Sequence, residues 1–181
     1  MKRIFVGSKA PAPTQSLILN TMILLQKEKK DARFYLPQEL HVTLQFIGEM
    51  TDQEIENLNE DLKNLVQPKI KFQLDGVSTF DDIHQAKTIW MKIKENGELS
   101  NFQTLIQEKC RAIKEIKNHL LYEAFVPHIT FMRTKEPFDL ENWIQKLAHI
   151  KNEGTLESFA IYESIEGKVP KYVPLQTYLL K

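Results

Sequence analysis

The sequence has a single cysteine, Cys110, among its 181 residues, which excludes an internal disulfide. It also lacks an excess of either charge, because 24 Lys and Arg residues balance 24 Asp and Glu residues. This balance argues against a long, non-specific nucleic-acid track. No apolar stretch approaches the roughly 20 residues that a membrane-spanning helix needs, and the apolar run before Pro11 is too short for a signal peptide. We therefore expect a cytoplasmic protein without a membrane partner.

Apolar residues alternate in short runs that predict strands and recur with helical periodicity in longer ones. The predicted strands are 2–7, 40–48, 69–76, 87–94, 125–133, 155–164 and 172–180. Helices are predicted after Thr14, after Thr51, between Asn96 and Ile116, and near Asp139. Because helices are interspersed without strict alternation, the order favours an α+β fold with antiparallel sheets. No segment rich in Gly, Ser or Pro divides the chain, so residues 1–181 are expected to form one domain.

One short motif occurs twice, as HVTL at 41–44 and as HITF at 128–131, about half a chain apart. Alternate residues of a strand share a face, so each His shares a face with the Thr two positions later. Val42 and Ile129 would point into the core, and Phe46 is expected on the same apolar face as Val42. Two such strands side by side would line a groove with two imidazoles and two hydroxyls.

Two imidazoles beside one phosphate are suited to phosphodiester chemistry. A neutral histidine accepts a proton from the attacking oxygen, and a protonated one donates a proton to the leaving oxygen; the ordinary pKa of histidine lies near neutrality. The hydroxyls of Thr43 and Thr130 would donate to the non-bridging oxygens. The pattern predicts His41 and His128 as an acid–base pair that requires no metal or other cofactor.

A structural hydrogen bond is the ordinary explanation for one such histidine, and a zinc site is another alternative. Zinc needs three or four ligands, whereas His84, His119 and His149 lie in loop or helical segments without ligand spacing to the pair. A motif that recurs on two strands is harder to attribute to packing, so the duplication favours a functional site.

The chain resembles the 2H phosphoesterases, in particular the bacterial and archaeal RNA 2′,3′-cyclic phosphodiesterases once described as 2′-5′ RNA ligases. The resemblance is carried by RIFVG near the start, LHVTLQFIGE around the first motif, GVSTF followed by TIWMKI, and FVPHITFMR around the second motif. The SFAIYES segment and the Lys-x-x-x-Tyr stretch after it are also similar. Together these segments extend over nearly the whole chain in the family's order.

The resemblance implies a bilobal α+β fold, in which two antiparallel sheets with pseudo-two-fold symmetry flank a central cleft and the helices lie outside. It also implies metal-independent hydrolysis of 2′,3′-cyclic phosphates to 2′-phosphates, with His41 protonating the departing 3′ oxygen and His128 activating water. The substrates would be RNA 3′ ends or cyclic nucleotides. A monomer with no obligate protein partner is expected.

Arg133 matches an arginine that often follows the family's second motif and helps to hold the phosphate. It lies five residues after His128, so a regular strand would turn its side chain to the opposite face. Arg133 reaches the cleft only if the strand bends or ends before it; otherwise it is a solvated arginine at the strand end. The sequence leaves both interpretations open.

Two other functions also stay open. One is a non-catalytic module that binds RNA ends or nucleotides, and the other is a 2′-5′ oligonucleotide phosphodiesterase of the same fold. The presence of both histidines and both threonines argues against a degenerate site.

Overall fold

The computed structural model describes residues 1–113 and 125–181, so the predicted helix position Ile116 and His119 lie outside the described residues. Within these ranges the strands are β1 Lys2–Lys9, β2 Arg33–Phe34, β3 His41–Met50, β4 Ile70–Thr79, β5 Ala86–Lys94, β6 His128–Phe138, β7 Lys151–Leu156, β8 Ser158–Ser164 and β9 Tyr172–Leu179. The helices are α1 Ala12–Gln26, α2 Asp52–Lys63, α3 Glu98–Ile113 and α4 Glu141–Leu147. The α+β prediction is confirmed. None of the described helices has the length and apolar character needed to span a membrane.

The strands form one antiparallel sheet in the order β7-β4-β5-β6-β3-β1-β8-β9, with the short β2 paired beside β6. Its two halves meet where β3 and β6 pair through Val42 and Ile129. One lobe takes its main strands from the middle of the chain, residues 70–156, with the short β2 added at β6, and the other takes its strands from both ends. The two sheets implied by the resemblance are therefore the halves of one continuous sheet, joined at a single residue pair.

The helices cover the sheet across the boundary between the lobes. Although α1 follows β1, it packs on β6 and β7, and α3 from the middle of the chain packs on β3. Phe102 of α3 meets the ring of Phe159 of β8 edge-on, with the ring centroids 5.2 Å apart. Each lobe thus contributes a helix to the hydrophobic core of the other.

The predicted strand at 155–164 is two strands. Residues up to Leu156 belong to β7 and pair with β4, while β8 starts at Ser158 and pairs with β1. The chain crosses from one lobe to the other at Glu157. The sequence pattern missed this boundary because no glycine or proline interrupts residues 155–164.

Pro174 lies in an edge strand and beside a register shift. The strand β9 is the outermost strand of its lobe, and its pairing with β8 shifts register next to the pair of Tyr162 with Pro174. Proline lacks a backbone N–H, so it is tolerated where a ladder hydrogen bond is not required.

Candidate active site

The two HxT motifs lie at the junction of the lobes, at the start of β3 and β6. Val42 and Ile129 pair directly and are both fully buried on the helix-covered face. Their neighbours in each strand point the other way, so the four polar residues surround this pair on the open face of the sheet. All four are half-buried, and they are His41, Thr43, His128 and Thr130.

The two imidazoles are held in the same way by the backbone. Nδ1 of His41 donates to the carbonyl oxygen of Glu39 at 2.6 Å, and Nδ1 of His128 donates to that of Val126 at 2.7 Å. A carbonyl oxygen only accepts, so Nδ1 carries the hydrogen in both rings. In the neutral state each Nε2 therefore has a free lone pair, the form that accepts or passes on a proton.

Burial controls the charge of both rings. Desolvation lowers the pKa of His41 to about 4, with a smaller lowering from the charge of His128. Desolvation also lowers the pKa of His128, and the nearby Arg133 guanidinium adds to this effect. The influence of His128 on His41 places the two rings within electrostatic reach of each other. Both are neutral in the free protein near pH 7.

Aromatic rings surround His41 on the lobe built from the chain ends. Phe5 lies 4.9 Å from the imidazole and Tyr172 meets it edge-on at 4.8 Å, while Tyr162 lies 6.1 Å away (all between ring centroids). Phe5 also stacks on Tyr162 at 5.0 Å. These rings exclude water from one side of His41 and account for its desolvation.

The wall beside His128 is made by Phe80 and Trp90, neither of which was singled out from the sequence. Their ring centroids lie 4.9 and 5.3 Å from that of His128. Strand alternation could have identified Trp90. Its neighbours Ile89 and Met91 face the core, so Trp90 shares the opposite, polar face of the strand with Lys92. Phe80, whose residue surface is 58% exposed, follows the end of β4 in a loop, where no periodicity places a side chain.

A β-bulge decides the position of Arg133. In the β5–β6 ladder Trp90 pairs with Thr130 but Ile89 pairs with Met132, so Phe131 has no partner. Phe131 and Met132 are consequently both buried, and Arg133 turns back to the face of His128. Its guanidinium lowers the pKa of His128 and acts in the same direction on Tyr172. Arg133 thus lies on the side of His128 and is exposed, and its role in phosphate binding stays a prediction.

The same bulge occurs in β3 and corrects the prediction for Phe46. Gly7 pairs with Thr43 and Val6 with Gln45, which leaves Leu44 unpaired. Gln45 is consequently buried, and Phe46 packs in the small cluster with Phe5 instead of in the main core. Phe46 and Arg133 therefore occupy equivalent places, five residues after their histidines, on the two lobes.

One cluster of possible metal ligands occurs among residues 1–113 and 125–181, and it contains neither motif histidine. It consists of His84, Asp139 and Glu141, all exposed. Nδ1 of His84 lies 3.2 Å from Asp139, which accounts for the contact as an ordinary surface ion pair.

A curved antiparallel sheet that presents two His-x-Thr strands to one cleft has the architecture of the 2H phosphoesterase class. Residues 16–168 match the model of the 2′-5′ RNA ligase superfamily, and the chain belongs to this family.

Three comparisons place the chain within the family. It is 29% identical over 89 residues to the RNA 2′,3′-cyclic phosphodiesterase of Archaeoglobus fulgidus, a match to 46% of this chain and 51% of that protein. It is 27% identical over 149 residues to the enzyme of the same name from Thermotoga maritima, over 77% and 74% of the two chains. The chain thus spans about half the length of the first relative. The crystal structure of E. coli LigT with 3′-AMP has the same fold, with a TM-score of 0.69, 20% identity and 99% and 98% coverage.

Proposed function

We propose that the protein is a metal-independent phosphodiesterase that opens 2′,3′-cyclic phosphates at RNA 3′ ends and leaves a 2′-phosphate. The observation that carries the proposal is the matched pair of imidazoles, His41 and His128. A backbone carbonyl holds Nδ1 of each ring, so Nε2 is the atom that accepts or donates the proton. The names of the relatives, and the 3′-AMP bound to E. coli LigT, support a nucleotide phosphoester as the substrate.

In the proposed reaction, water attacks phosphorus opposite the 3′ oxygen, and its proton passes to Nε2 of His128. The bond from phosphorus to the 3′ oxygen breaks, and that oxygen takes the proton from Nε2 of His41. Thr43 and Thr130 donate hydroxyl hydrogens to the non-bridging oxygens, and Arg133 offsets their charge. Exchange of protons with solvent then returns both histidines to their starting states.

The assignment of His128 as the base and of His41 as the acid is the one that the resemblance to the family implies. Burial lowers the pKa of both histidines, that of His41 to about 4, so the acid has to gain its proton together with the substrate. The negative charge of a bound cyclic phosphate would raise the pKa of His41 and supply the protonated acid.

Turnover of a nucleoside 2′,3′-cyclic phosphate, with and without EDTA, tests the proposed function. We expect equal rates in both, with the 2′-phosphate as the product identified by ³¹P NMR against both isomers. Loss of activity in EDTA would contradict the metal-free mechanism, and a 3′-phosphate would contradict the leaving oxygen. Binding without turnover would favour the non-catalytic module, and cleavage of a 2′-5′ dinucleotide alone would favour the related phosphodiesterase.

The pH dependence is expected to differ between kcat/KM and kcat. The profile of kcat/KM reports the free protein, in which burial lowers the pKa of both histidines. The acid must be protonated, so kcat/KM should fall as pH rises through a value below 6.5, the ordinary pKa of histidine. The bound phosphate raises the pKa of the acid, so the alkaline limb of kcat should lie at higher pH. An alkaline limb of kcat/KM above that of kcat would contradict this account.

A further inference from the structure

Two arginines lie directly opposite each other next to the candidate active site. Arg33 of β2 pairs with Arg133 of β6 in an antiparallel register. Directly opposite residues share a face, and like charges in that arrangement are destabilising. Both guanidinium groups also act on Tyr172, whose ring lies against His41. An anion that contacts both side chains would remove the repulsion between them.

Arg33 has hydrogen-bonding capacity available for such an anion. Its guanidinium lies 5.1 Å above the ring of Tyr35 and reaches Oε1 of Glu39 at 3.5 Å, and its side chain is 50% exposed. A guanidinium has five N–H donors, and the contact to Glu39 is a long one. The ring of Tyr35 supports the guanidinium from one side, and half of the side-chain surface of Arg33 remains exposed to solvent.

The buried carboxylate of Glu39 is held mainly by the backbone. It accepts hydrogen bonds from the N–H of Leu36 at 2.9 Å and from that of Lys171 at 2.7 Å. Both are shorter than its contact with Arg33. The ion pair with Glu39 therefore uses only part of the hydrogen-bonding capacity of the Arg33 guanidinium.

A cavity of about 420 Å³ opens beside Arg33. Lys168 and Lys171 line it together with Arg33, and Glu166 and the already bonded Glu39 are its acidic residues. This volume lies within the range of small-ligand sites. Tyr35 stacks on Tyr172, with centroids 6.2 Å apart, and connects the cavity to His41.

We propose that Arg33 binds the phosphate on the 5′ side of the terminal nucleotide, so that the preferred substrate is an oligonucleotide end with at least two phosphates. This inference rests on the proposed function, in which Arg133 holds the cyclic phosphate. Cα atoms of opposite residues lie about 4.5 to 5.5 Å apart, and two extended arginine side chains can diverge to contact successive phosphates of one strand. Lys168 and Lys171 then lie where the chain continues away from the cleft.

Kinetics with two substrates test this inference. Adenosine 2′,3′-cyclic phosphate has one phosphate, and adenylyl-(3′-5′)-adenosine 2′,3′-cyclic phosphate has two. Wild-type protein is expected to prefer the dinucleotide, and Arg33→Ala should lower kcat/KM for the dinucleotide about 10- to 100-fold, the worth of one charge-assisted hydrogen bond. Turnover of the mononucleotide should change less than about twofold, because it does not use this bond, and it thereby reports that the variant is folded.

Arg111→Ala is the matched control, because it removes an exposed arginine of α3 and causes the same change of net charge. It should leave the preference for the dinucleotide intact. An equal loss with both substrates in Arg33→Ala would assign Arg33 to the support of Glu39 and overturn the inference. A wild type that does not prefer the dinucleotide would overturn it as well.

A binding measurement separates this inference from the proposed function. Calorimetry with adenosine 2′-phosphate and with adenylyl-(3′-5′)-adenosine 2′-phosphate needs no turnover. Tighter binding of the dinucleotide that is lost in Arg33→Ala supports the inference even if wild type hydrolyses neither cyclic phosphate, a result that would refute the proposed function alone. Equal affinity for the two ligands in wild type would refute the inference alone.

Discussion

The His128→Ala and His41→Ala variants are each expected to lower kcat for a nucleoside 2′,3′-cyclic phosphate on the order of 10²- to 10⁴-fold, the contribution of one positioned acid or base. Each substitution removes the Nε2 atom through which the proposed proton transfer passes. The two histidines act on one transition state, so the double variant should lose little more than the poorer single variant. Initial rates at saturating substrate, measured across pH, give kcat for each protein.

His84→Ala is the control for this experiment. His84 is exposed and pairs with Asp139 outside the cleft, so its removal should leave kcat unchanged. Because His41 packs against Phe5 and Tyr172, His41→Asn is a second variant that leaves a smaller cavity, and the thermal midpoint shows whether each protein is folded. Unchanged turnover in a folded double variant would refute the two-histidine mechanism.

Arg133→Ala is expected to lower kcat on the order of 10²- to 10³-fold, as the loss of a donor to a developing negative charge does in other enzymes. Arg133→Lys should recover part of this loss, because lysine keeps the charge but lacks the planar pair of donors. KM should rise less than kcat falls if the guanidinium acts mainly on the transition state. Steady-state kinetics on the mononucleotide separates the two parameters.

Lys135→Ala removes an exposed cation from the same strand two residues further on and is the matched control for Arg133→Ala. We expect near wild-type kinetics from it. The acid limb of the pH profile supplies a second readout, because His128 must be neutral to act as the base. Arg133 lowers the pKa of His128, so its removal should move this limb to higher pH. Equal effects of Lys135→Ala and Arg133→Ala would show that net positive charge, rather than the position of the guanidinium, is what matters.

The sequence was sufficient to predict the four residues around the central pair because strand alternation is a local property. A His and a Thr two positions apart share a face whatever the rest of the chain does, and the duplication of the motif indicated that the two copies meet. The pairing partner of each strand is not local. The crossing at Glu157 between lobes, and the joining of the halves through Val42 and Ile129 alone, depend on contacts between distant segments.

The position of Arg133 could not be predicted for a different reason. A bulge inserts one residue into a ladder and reverses the alternation after it, and neither Leu44 nor Phe131 differs from an ordinary strand residue. Counting along the strand therefore left Arg133 undecided and assigned Phe46 to the wrong face. Phe80 and the Arg33–Arg133 pair likewise depend on how a loop and a two-residue strand lie against β6.

The two bulges make the two sides of the cleft different from each other. In their histidines and threonines the lobes are nearly interchangeable, and a site with that symmetry would accept a cyclic phosphate equally well in two orientations related by half a turn. Five residues after each histidine the symmetry ends. One lobe has the arginine Arg133 at this place, and the other has the ring of Phe46, with the guanidinium of Arg3 5.0 Å from its centroid. A ribose with its 2′ and 3′ oxygens on the same phosphorus is itself nearly symmetric at the reacting bond. An asymmetric site can distinguish those two oxygens. Arg133 and Phe46, the residues that differ between the lobes after each bulge, would therefore decide which oxygen leaves.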